Sequence, residues 1–105
     1  MRMLLRVSIP VEAGNAAAKD GTLGSTVEGM LADLKPEAAY FSADENGNRS
    51  PSIVFDMKDT SQIPAVAEPW FLASNAKVSL RPVMNAQDLG EARPSIAKAV
   101  KKHAK

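Results

Sequence analysis

The order of its apolar segments constrains this chain more than any other feature. A strand-like run at Met3–Ile9 precedes a helical stretch that closes near Lys35. Two strand-like runs, Glu37–Ser42 and Ser52–Met57, are joined through Asn46-Gly47. A second helical stretch, Ser61–Ser74, then leads to a last strand-like run at Lys77–Met84. The order β-α-β-β-α-β is the split βαβ pattern. It predicts an α+β sandwich of ferredoxin-like type: a four-stranded antiparallel sheet, strand order 4-1-3-2, with both helices on one face.

Periodicity assigns the faces. Leu5, Val7 and Ile9 point one way, and Leu4, Arg6 and Ser8 the other. Ile53, Phe55 and Met57 alternate with Ser52, Val54 and Asp56 in the same manner, and Val78 and Leu80 oppose Lys77, Ser79, Arg81 and Val83. Leu23, Val27, Met30, Leu31 and Leu34 form one helical stripe, for which Thr22 is the expected N-cap and Pro36 the stop. Within Val11–Asp20, Ala16-Ala17-Ala18 is expected to form a helical turn or two that ends at Gly21. Ile63, Val66, Ala67, Trp70 and Phe71 form a second stripe, entered through Asp59-Thr60-Ser61. Pro69 cannot bond the Ala65 carbonyl, so a kink or a fresh helical turn is expected there. Ala43–Arg49 reads as a longer hairpin loop and Asn85-Ala86-Gln87-Asp88 as a capping box.

At 105 residues the chain is expected to form one domain over residues 1–90 and a basic, partly helical tail over 91–105. Thirteen basic and twelve acidic side chains leave a net charge near +1, which offers no general attraction to nucleic acid or anionic membrane. Without cysteine there is no disulfide, thiolate nucleophile or thiolate metal site, and a lone histidine, His103, cannot supply an imidazole cluster. Neither a metal nor an organic cofactor is expected. Arg6 and Pro10 interrupt the first apolar run, and no apolar run approaches a membrane span of about 20 residues. The expectation is a cytoplasmic protein.

Strand parity places Arg6, Asp56 and Arg81 on the sheet face turned away from the helices. Two guanidinium groups flanking a carboxylate would hold an anionic ligand bidentately, or form a structural ion-pair cluster at a subunit contact. Tyr40, Phe41, Phe55, Trp70 and Phe71 are the aromatic residues, and aromatics at this spacing usually build a core. The functional alternative is a cleft between sheet and helix in which Trp70 and Tyr40 hold a small planar ligand, with the Tyr40 phenol as hook or proton donor. Lys19–Thr26 is glycine-rich but lacks the Gly-Lys-Ser/Thr ending of a phosphate loop and follows no strand directly. The lysine-rich tail around His103 carries no aromatic residues on which bases would stack. Carboxylate pairs such as Asp56 with Asp59, or Asp44 with Glu45, sit at turns, and no serine, threonine or lysine is matched to a base.

Lys35-Pro36-Glu37-Ala38-Ala39-Tyr40-Phe41 and Ser61–Leu72, together with Pro82-Val83-Met84 and Asp88-Leu89, resemble a group of short bacterial proteins of uncharacterised function. Some of these carry the automatic label "panthothenate synthetase". The resemblance runs from Met1 to Leu89 and implies a ferredoxin-like, dimeric α+β barrel shape without implying an activity. A ligase forming pantothenate activates its acid with ATP on a nucleotide-binding domain bearing paired histidines. This chain has one histidine, in its tail, so no site residue carries over.

Leu4, Val54 and Val83, with Tyr40 or Phe41, would lie where the helices cannot reach, so a homodimer through the open sheet face is expected. In a barrel closed by two such sheets, Arg6, Asp56 and Arg81 would line the interior. Three functions fit this reading. One is a dimer that binds a small acidic or aromatic metabolite; the second is a cofactor-independent isomerase or monooxygenase, by analogy of fold alone; the third is a pure interaction module.

Overall fold

In the computed structural model, which describes residues 1–104, nine α-helices and β-strands follow one another along the chain, with a 3-10 turn at Thr60–Gln62 before the third long helix. They are β1 (Arg2–Ser8), α1 (Val11–Asp20), α2 (Thr22–Leu34), β2 (Ala38–Ala43), β3 (Arg49–Asp56), α3 (Ile63–Ser74), β4 (Lys77–Pro82), α4 (Ala86–Glu91) and α5 (Arg93–His103). The strands form one antiparallel sheet in the order β2-β3-β1-β4. This is the expected order, and the α+β ferredoxin-like arrangement follows from it. Within the chain the sheet is open: β2 and β4 are its edges, and it does not close into a barrel.

The period-two pattern of burial holds on β1 and on β3 from Pro51 onward, while β2 and β4, at the edges, are mostly exposed or half-buried. Leu5, Val7, Ile9, Ile53, Phe55 and Met57 are buried against the helices, joined by Met30, Val66 and Trp70. Full burial of an aliphatic or aromatic side chain stabilises by roughly 1.5–3 kcal/mol, so this cluster dominates the core. Val78 and Leu80 of β4 pack on its margin, as do Leu23, Val27, Leu31 and Leu34 of α2. The stripe on α3 is shifted from the expected one. Val66, Ala67, Trp70 and Ser74 face inward, while Ile63 and Phe71 are largely exposed.

Helix ends depart from expectation at one place. Gly21, in the left-handed region at φ 83°, is the N-cap of α2, and Thr22 is its first residue. The capping oxygen comes from Asp20, whose Oδ1 accepts from both the Thr22 amide and the Thr22 hydroxyl. Asn75 and Lys35 close α3 and α2 in the left-handed conformation. The capping box at Asn85 and Asp88 forms as its spacing predicts. Pro69 lies inside α3, which runs from Ile63 to Ser74 without a break or a fresh start.

Strand β3 starts at Arg49 rather than Ser52, and it includes Pro51. Ile9 donates its amide to the Arg49 carbonyl at 3.0 Å, so Arg49 turns its backbone groups toward β1. By the two-residue alternation of antiparallel ladders, the nitrogen of Pro51 faces β1 as well. Having no N–H, it leaves a gap in the β1–β3 ladder between the Arg6–Ser52 pair and the isolated Ile9–Arg49 bridge. On the other side, the ladder to β2 continues through Phe41–Pro51 and Ser42–Ser50.

Among the described residues no helix is long and apolar enough to cross a membrane. The helical tail extends away from the sheet. α5 buries none of its residues, and the longest dimension of the molecule is 57 Å against 29 and 21 Å for the others.

Candidate functional site

On the face of the sheet away from the helices, the registers fix the neighbours of each side chain. Arg6 lies opposite Ser52 on β3 and Ser79 on β4, and Arg81 lies opposite Leu4. Arg6 and Arg81 are therefore diagonal neighbours, with a Cα separation of roughly 7–8 Å. Both line a groove of about 290 Å³, whose walls also include Ser8, Ser50, Lys77, Ser79 and the hairpin residues Asp44–Asn46.

The third residue expected here, Asp56, is elsewhere. It shares the face but pairs with Arg2, four positions along β3 from the partner of Arg6 and so roughly 13 Å away. Its carboxylate binds the Met1 ammonium at 2.6 Å and Lys58 Nζ at 3.0 Å. Those two partners, the ammonium first, hold its pKa down at about 2. Asp56 is thus occupied in an ion cluster at the opposite end of the sheet from the groove.

The carboxylate that borders the groove is Asp44, the first residue of the hairpin loop. Its Oδ2 accepts the Ser8 hydroxyl at 2.7 Å, and its Oδ1 accepts the amides of Asn46 and Asn48 at 2.9 and 3.0 Å. The Ser8 bond, followed by the Asn48 amide, holds its pKa below the usual carboxylate range, with a smaller contribution from the charge of Arg6. A carboxylate stabilised in this way is a weak base, so it orients Ser8 without activating it as a nucleophile. Gly47, at φ 77°, supplies the positive dihedral that closes the loop onto Asp44. The sequence places Asp44 at a turn, as found, and Asp44-Glu45-Asn46-Gly47-Asn48 carries the further signal of a carboxylate capping its own turn, which places it beside the groove only once the hairpin is built.

Against the carboxylates of Asp44, engaged in its loop, and Glu45, the groove sets three cationic groups, on Arg6, Lys77 and Arg81. None of the three forms a salt bridge among the described residues. Arg81 Nη2 reaches only the Ser79 hydroxyl, at 3.5 Å. The buried Ser50 adds a hydroxyl at the base of the groove. Such a set of donors matches a small anion with several oxygen atoms.

The two expected aromatic residues separate completely. Tyr40 is on the open face, 69% exposed, opposite Ser52. Trp70 is fully buried on the other side of the sheet, so the cleft expected between them does not form. Its Nε1 meets no hydrogen-bond partner among the described residues, and Trp70 lines neither of the larger grooves. The aromatic residue that does border a cleft between sheet and helix is Phe41. It faces Leu23 and Val27 across an apolar groove of about 440 Å³.

No family model and no curated protein matches the chain. Among solved structures, the chain is similar to a formyltetrahydrofolate deformylase from Pseudomonas putida KT2440, at 14% identity and a TM-score of 0.51. The match covers 79% of this chain and 29% of that one, so the chain spans less than a third of its structural neighbour. What the two share is the ferredoxin-like α+β fold.

Proposed function

We propose that the chain is a small-ligand-binding module that takes a small acidic metabolite, of the di- or tricarboxylate class, in the groove on its open sheet face. The observation that carries this reading is the convergence of Arg6, Lys77 and Arg81 with no salt-bridge partner among the described residues. Three cations outnumber the carboxylates of Asp44 and Glu45 in the same walls, and guanidinium groups bind carboxylates in bidentate geometry. Ser50 and Ser79 supply neutral hydroxyls around them. A second copy laid on the same face would cover Leu4, Tyr40, Val54 and Val83 and roof the groove, excluding water and strengthening each charged contact. Asp56 serves the dimer reading as a surface ion pair, outside the ligand groove.

Thermal denaturation in low salt with millimolar succinate or citrate tests the proposal. Either anion is expected to raise Tm by several degrees, and Arg81→Ala to abolish the rise. An equal rise in Arg81→Ala and in Arg6→Ala, or no rise with either anion, would remove the groove from consideration.

A further inference from the structure

The apolar groove on the helix side of the sheet is a separate concavity from the cationic one. Its walls are Leu23 and Val27 of α2, Phe41 and Ala43 of β2, Pro51 of β3 and Ile9. Phe41 is 55% exposed there, so a large aromatic face lies open to whatever enters. At about 440 Å³ the space falls within the usual range for small-molecule sites, which are mostly apolar with a few placed polar groups.

One charged side chain lines this groove, and it is held in place. Arg49 opposes Ala43 in the β2–β3 ladder, on the helix side. Its Nη1 donates to Asn15 Oδ1 at 3.0 Å, and the guanidinium lies against Gly14 of α1. A Cβ at Gly14 would stand 2.7 Å from that Nη1, so the glycine is what lets the guanidinium settle on the helix. Asn15 occupies one of five N–H donors, and no carboxylate pairs with Arg49 among the described residues. A fixed guanidinium with spare donors, beside an apolar trough, selects a ligand with a carboxylate at one end and an apolar body.

We infer that this groove is a second binding site, for small monocarboxylates with an aromatic or branched apolar body. The carboxylate meets Arg49, and the body lies between Phe41 and the Leu23–Val27 side of α2. The polyanions proposed for the open face have no apolar portion to bury here, so the two sites differ in the ligands they select.

Isothermal titration of the full chain with phenylacetate, and with phenylacetamide as its uncharged analogue, tests the inference. Phenylacetate is expected to bind, and the amide to bind roughly ten- to a hundredfold more weakly, the range for losing a charge-assisted hydrogen bond. Arg49→Gln should erase the difference between the two probes. Ala43→Phe, at an exposed position that fills the trough, should abolish both, and Arg81→Ala should change neither. Absence of phenylacetate binding would overturn the inference. So would binding that survives both Arg49→Gln and Ala43→Phe, or that disappears in Arg81→Ala. Failure of succinate and citrate at the open face would leave the phenylacetate result standing, because the variants that report on each site do not overlap.

Discussion

Asp44 and Asp56 show how differently two carboxylates on one sheet face are used. Asp44 organises the hairpin loop, while Asp56 gathers the Met1 ammonium and Lys58. Both have pKa values lowered in the folded protein, Asp56 to about 2 from an ordinary 3.8. A group depressed on folding contributes its full stabilisation above its unfolded pKa and loses it as pH falls through the folded value. Acid destabilisation from Asp56 is therefore expected between about pH 4 and about pH 2. In urea denaturation across that window, Asp56→Asn should start from a lower midpoint and fall less steeply than the unmodified protein. The face of each residue could be read from the sequence, since alternation requires no knowledge of partners. Position along the strand could not, and Asp56 was grouped with Arg6 because register depends on cross-strand pairing.

At the level of elements, α3 carries a cost that substitution should reveal. Pro69 sits within the helix and deprives the Ala65 carbonyl of its usual donor, yet the helix continues because Val66, Ala67 and Trp70 hold it to the sheet. Pro69→Ala restores the donor and relaxes the unfolded chain, for a net gain of about 1–2 kcal/mol in urea unfolding. Of the two outcomes expected from the sequence, the fresh helical turn at Pro69 does not occur, and the burial of Trp70 favours one continuous helix. Strand β3 also departs from expectation at its start. Alternation is clear only from Ser52 onward, but the missing N–H of Pro51 faces only β1, and the ladder to β2 carries the strand back to Arg49. The helical stripe on α2 was legible because Leu23, Val27, Met30, Leu31 and Leu34 repeat at a clean helical spacing. The Phe41 groove was not, because it depends on how far α2 stands from β2, a distance no local pattern encodes.

The whole molecule has a radius of gyration of 17.1 Å. A compact domain of this length would have a radius of gyration of about 13 Å, and the projecting α5 accounts for the difference in shape. One sheet face is covered by helices, and the other leaves Leu4, Val54 and Val83 only half-buried beside an exposed Tyr40. The proposed dimer covers these residues. Sedimentation at tens of micromolar is expected to give a dimer, and Val54→Glu to give a folded monomer, since a charge at the centre of an apolar contact goes unpaired. A monomer at that concentration in the unmodified protein would leave the cationic groove open to solvent and the dimer without support.

Arg49, Ser50 and Pro51 form the partition between the two grooves, and Ser50 borders both. This is also where the central pair of strands is stitched along one edge only. Occupants on the two sides would therefore rest against one and the same three-residue stretch of backbone.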